Sequence, residues 1–105
     1  MERLEALKKF VEEEPDDPFN RYALALETLK SDSDKAYQLF EELIKGNAEY
    51  LPTYYPFAQL LVERKNSIRA EEIFKAGLEM ARKQKDAKAV REIQTAWNDW
   101  KDLES

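Results

Sequence analysis

The sequence contains no cysteine and no histidine. The first absence excludes disulfides, thiolate metal sites and cysteine nucleophiles. The second removes both the commonest general base and the commonest metal ligand. Glycine occurs twice and proline four times, which leaves little material for tight turns. No apolar run approaches the roughly 18 residues that a bilayer-spanning helix needs. Met1 leads into Glu2-Arg3-Leu4, which is not the start of a signal peptide. No phosphate-binding loop is present. These absences predict a cytoplasmic protein with no membrane contact, no cofactor and no enzymatic activity.

What is present points to helix. Charged residues make up 37% of the 105 positions and hydrophobic residues 43%, with Ala, Leu, Glu and Lys abundant. That length suits one domain with a modest core. The net charge of −5 argues against nucleic acid as a ligand. The charge is unevenly spread. Residues 1–63 carry 14 acids against 7 bases, residues 64–91 carry 4 against 9, and the remainder carries 4 against 1. A basic belt between acidic ends can steer an acidic partner or bring two copies together. Solvated helix faces with an incidental sign bias are the simpler reading.

Apolar spacing divides the chain into six helices. Leu4, Leu7, Phe10 and Val11 form one stripe over 2–14, ended by Pro15. Asp17 caps a second helix with Pro18 at its first position, and Phe19, Tyr22, Ala23, Leu26 and Leu29 face inward. Ser33 caps a third, carrying Ala36, Tyr37, Phe40, Leu43 and Ile44, with Gly46-Asn47 as a left-handed stop. Pro52 opens a fourth, capped by Thr53, with Tyr54, Phe57, Ala58 and Leu61 inward and Pro56 in its first turn. Ile68, Ala70, Ile73, Phe74, Gly77, Leu78 and Ala81 describe a fifth. Asp86 caps a sixth, with Ala89, Val90, Ile93, Ala96, Trp97, Trp100 and Leu103 along it.

The chain also repeats itself. Ala36 falls on Ala70 and Phe40 on Phe74 at a shift of 34, while Phe19, Tyr22, Ala23 and Leu26 fall on Tyr54, Phe57, Ala58 and Leu61 at 35. One extra residue therefore belongs in the first turn, around Ser31 to Asp34. Antiparallel helices need small residues where their backbones cross, and Ala23, Ala36, Ala58, Ala70 and Gly77 supply them. An ordinary helical bundle is the rival architecture.

This arrangement of an aromatic, a large-small pair and a further large residue, followed by Ala, an aromatic and a small residue, resembles the tetratricopeptide repeat family, in the form of a small stand-alone bacterial-type protein. Alanine stands where the family has glycine, and Leu43 where it has alanine. The resemblance implies an all-α fold of antiparallel helix hairpins stacked as a short right-handed superhelix, with about six helices. The units are a half-repeat helix at 2–14, repeats at 17–46 and 51–84, and a capping helix at 86–103, all within one domain spanning 1–105.

The resemblance further implies a concave face lined by the first helix of each pair. It would be formed by Asn20, Leu24 and Glu27 and by Tyr55, Gln59 and Val62, and would bind a peptide or helix of a partner protein. The cationic clamp by which some members grip a terminal carboxylate is not matched, since the comparable positions hold Asn20, Leu24 and Pro56. Trp97 and Trp100 share a face of the last helix. They either seal the end of the stack or form the seam of a homodimer. The acidic string Glu12-Glu13-Glu14-Pro15-Asp16-Asp17 lacks the spacing of a calcium loop; its glutamates read as solvated charge, and Asp16 and Asp17 as turn and capping residues. Glu41-Glu42 and Glu71-Glu72 sit on outward faces. No metal site or catalytic carboxylate pair is expected.

Overall fold

The computed structural model describes residues 2–104. Among them are six α-helices, one 3₁₀ turn and no strand. The helices are α1 (Glu2–Glu13), α2 (Pro18–Leu29), α3 (Ser33–Gly46), α4 (Tyr54–Glu63), α5 (Ser67–Lys83) and α6 (Ala87–Glu104), with the 3₁₀ turn Leu51–Thr53 before α4. This is the expected all-α helical-repeat class. The chain divides into two compact units, one ending at Thr53 and the other starting at Tyr54. In the first, α2 packs against both α1 and α3; in the second, α5 packs against both α4 and α6.

Helix starts are local chemistry. The side chains of Asp17, Asp32, Asn66 and Asp86 accept backbone N–H bonds from Phe19, Lys35, Arg69 and Ala89 at 2.9, 3.0, 3.2 and 3.0 Å. Each cap is worth about 1 kcal/mol. The third helix is thus capped by Asp32, and Ser33 is its first helical residue. Thr53 does not cap α4: it is fully buried and its hydroxyl has no hydrogen-bond partner. Pro56 is the third residue of α4, where its missing N–H would have had no helical acceptor.

Helix ends depart further from expectation. Gly46 closes α3 without a left-handed φ, and Asn47 at φ −139° donates its N–H to the Leu43 carbonyl at 2.7 Å. The left-handed stops fall instead on Lys65 and Lys85, both at φ 59°. Asn66 N–H bonds back to the Leu61 carbonyl and Lys65 N–H to that of Val62. Asp86 and Lys85 repeat the pattern on Ala81 and Arg82. These are paired Schellman closures with lysine in the place that glycine usually takes. Asn66 and Asp86 then cap the following helices, so one residue ends one helix and starts the next.

The register of α2 also differs. Ala36 and Ala70 are equivalent, each fully buried and four residues past its cap, with Phe40 and Phe74 likewise buried. In α2, however, the fully buried alanine is Ala25, flanked by buried Leu24 and Thr28, while Phe19 is 60% exposed. Ala23 and Leu26 are only half-buried. Leu24, Ala25 and Thr28 therefore correspond to Phe57, Ala58 and Leu61, a shift of 33. The hydrogen bonds agree: the Asp32 cap N–H reaches back four residues to Thr28, whereas the Asn66 cap reaches five to Leu61. The first turn is one residue shorter than the second, not longer, because it lacks the left-handed lysine. Three other stripe residues are exposed as well. Phe10 is half-exposed on α1, which buries only Leu7, and Ile68 and Leu103 are 80% and 84% exposed at helix ends.

In the second unit the crossing is tight. A Cβ placed on Gly77 would lie 2.7 Å from the Cβ of buried Tyr54. Gly77→Ala gains about 1 kcal/mol of helix propensity but forces the helices apart at a cost of about 1–3 kcal/mol. The expected result is a net loss of stability, read as a lower urea midpoint with an unchanged slope. Lys65→Gly and Lys85→Gly should act the other way. Relief of left-handed strain, about 1–2 kcal/mol, exceeds the roughly 0.5–1 kcal/mol of added chain entropy. Each variant should melt a few degrees higher, as calorimetry would record.

Candidate functional site

The face expected on α4 is open. Tyr55, Gln59 and Val62 lie four and three residues apart on one side of the helix. Tyr55 is 36% exposed, Gln59 exposed and Val62 half-buried. They border a hollow of about 350 Å³ whose other walls are Glu63, Phe74, Ala96, Asp99, Trp100 and Leu103. Tyr55 also edges a second hollow of about 370 Å³, shared with Arg91, Glu92, Thr95, Ala96 and Asp99 of α6.

Trp97 and Trp100 are half-buried and lie against α5. Trp97 stacks on Phe74 with ring centres 6.1 Å apart, and Trp100 stacks on the same ring at 5.6 Å. Lys101 Nζ sits 4.0 Å above the Trp97 ring, a cation–π contact on the outer side. Ser67 Oγ donates to Glu104 Oε1 at 3.1 Å and ties the start of α5 to the end of α6.

The face expected on α2 is placed differently. Leu24, at 8% exposure, belongs to the core, because the two-residue change in register turns the helix by about 200°. Asn20 is half-buried, and its amide donates to Glu14 Oε2 at 3.4 Å. Glu27 Oε1 takes Arg3 Nε at 3.0 Å and Lys30 Nζ at 3.2 Å, joining α1 to α2. Phe19, Tyr22 and Leu26, read from the sequence as core, instead line a hollow of about 350 Å³ with Arg3, Ala23, Glu27 and Lys30. In the observed register Tyr22 corresponds to Tyr55, Leu26 to Gln59 and Leu29 to Val62. The paired tyrosines were the available signal. The alternation Tyr22-Ala23-Leu24-Ala25-Leu26 concealed it, because it offers an alanine at either crossing, and Thr28 carries no apolar signal where Leu61 stands in the other unit.

The electrostatics are mild. The Tyr22 ring meets that of Tyr50 edge-on at 5.7 Å, and burial raises the pKa of both phenols, with Tyr22 and Asp17 adding to the shift at Tyr50. Among the described residues no cluster of acids is arranged to hold a metal ion, and no helix is long and apolar enough to cross a membrane. The hydrogen bond from Lys30 holds the Glu27 carboxyl below its ordinary range; burial pulls the other way, and Arg3 adds to the lowering. A carboxyl lowered in the folded state contributes stability above its unfolded pKa, and that contribution is lost as pH falls through the folded value. Glu27→Gln should therefore be less stable than the parent at neutral pH, with the gap closing in acid, as paired urea titrations at the two pH values would measure.

No protein-family model matches the chain, and no curated protein matches it. Solved structures do. A solution NMR structure of a tetratricopeptide repeat domain protein from Salinibacter ruber is 37% identical, covers 86% of this chain and 92% of its own, and superposes with a TM-score of 0.81. A crystal structure of a tetratricopeptide repeat domain protein from the same organism is 38% identical, covers 83% of this chain and 98% of its own, with a TM-score of 0.78. With that identity carried over nearly the whole of those domains, the chain belongs to the tetratricopeptide repeat family.

Proposed function

We propose that the protein is a non-catalytic interaction scaffold that holds a peptide or helix of a partner protein. The docking surface is the outward side of α4, and of α2 in the same sense, which lines the concave groove in tetratricopeptide repeats. The observation that carries this reading is the open line of Tyr55, Gln59 and Val62 beside a hollow walled by Trp100 and Leu103. A tyrosine buries a large area while immobilising only two side-chain torsions, which suits an anchor. The hollow has room for an apolar side chain of the partner. Glu63 and Asp99 on its wall would favour a basic residue beside that anchor. On α2 the contributing residues would be Phe19, Tyr22 and Leu26, with Asn20 and Glu27 at the margin. A homodimer is the second reading. The stacking of Trp97 and Trp100 on Phe74 favours a sealing role for both indoles over a seam made by them.

Photo-crosslinking tests the main reading. A crosslinker installed at Gln59 should capture a partner that one installed at exposed Glu79 on α5 does not. Tyr55→Ala should then weaken binding of that partner by about 1–2 kcal/mol, roughly tenfold in affinity. Capture from Glu79 instead, or undiminished binding by Tyr55→Ala, would move the docking surface off α4.

A further inference from the structure

One line of α6 is turned to solvent along most of its length. Lys88, Arg91, Glu92, Thr95 and Asp99 are all exposed, and spacings of three and four keep them on one side. Within the second unit no other element lies over that line. Arg91, Glu92, Thr95, Ala96 and Asp99 border the open 370 Å³ hollow, with Tyr55 of α4 at its edge. Small side chains, Thr95 and Ala96, occupy the middle, where a second helix can come close.

The charges along the line are ordered. Lys88 and Arg91 lie in the first half of the helix, and Asp99, Asp102 and Glu104 in the second. Lys101 is drawn aside over Trp97. Lys88 makes an exposed contact of 3.8 Å with Glu92, of the kind that contributes little. A helix with this order is complementary to its own reverse. When two copies lie antiparallel about a two-fold axis at Thr95, residues equidistant from it face one another. Arg91 then meets Asp99 and Lys88 meets Asp102, each twice by symmetry, while Glu92 falls opposite neutral Asn98. Opposed helix dipoles add to the attraction. A parallel pairing would set Arg91 against Arg91 and Asp99 against Asp99, so the same charges that favour one orientation reject the other.

We propose that α6 is a self-recognition face on which a second copy of the chain docks its own α6 antiparallel, Arg91 of each copy against Asp99 of the other. The pairing gives the homodimer reading a specific face and does not use Trp97; because Asp99 and Tyr55 border both hollows, it would compete with a partner docked on α4.

Sedimentation equilibrium at low ionic strength, from micromolar to millimolar protein, tests it. The parent chain should show a monomer–dimer equilibrium that weakens as salt is added. Arg91→Glu and Asp99→Arg should each weaken dimerisation roughly tenfold or more, because each sets like charges together at two places. The two variants are complementary across the axis, so an equimolar mixture should associate where neither does alone. Unchanged helical circular dichroism for both variants keeps unfolding from imitating the loss. A parent that stays monomeric over the whole range, a dimer that survives both reversals, or a mixture no stronger than its components would each overturn the proposal.

Discussion

The helices of the second unit cross so closely that a single added carbon on Gly77 would overlap the side chain of Tyr54. Ala58, Ala70 and Ala81 are fully buried in the same unit, small where large residues would hold the helices apart. Phe57, Leu61, Ile73 and Phe74 then fill the volume beside the crossing. A core of this kind tolerates neither an extra methylene at the contact nor a missing one beside it. The same logic operates in the first unit on different residues. Ala25 and Ala36 are the fully buried small residues there, and Leu43 stands at the position of Gly77.

Once one side of a helix is committed to the crossing, another side is left uncovered. On α4 that leaves Tyr55, Gln59 and Val62 beside α6. On α2 it leaves Phe19, Tyr22 and Leu26 beside α1. The two hollows are chemically unlike. Arg3 and Lys30 share Glu27 on the first, whereas Glu63 and Asp99 stand on the second. The two units of the repeat therefore present different charge on the same architecture.

Much of this was legible in the residues themselves. Asp17 with Pro18, and Asp86, announce helix starts through side-chain chemistry that acts over two or three residues. The spacing of Ala36 and Phe40 against Ala70 and Phe74 identified equivalent sites. Tyr55, Gln59 and Val62 were placed on the open side because the neighbouring Tyr54, Phe57, Ala58 and Leu61 form an unambiguous inward stripe. On α2 the same reasoning failed. Ala23 and Ala25 are both plausible crossing residues, and Phe19 with Tyr22 imitates the aromatic pair of α4. The buried residue that settles the register, Thr28, is polar.

The sequence by itself determined the all-helical class, the caps Asp17 and Asp86 that start two of the helices, the equivalence of the two second helices and the family. It also excluded cysteine and histidine chemistry outright. These follow from composition and from forces that act within a few residues along the chain. Only the tertiary structure decided which face of α2 is buried, that lysines close two helices in left-handed conformation, and that both tryptophans stack on Phe74. Those outcomes depend on neighbours distant in sequence: a helix with apolar residues around much of its circumference has no inward side until another helix packs against it.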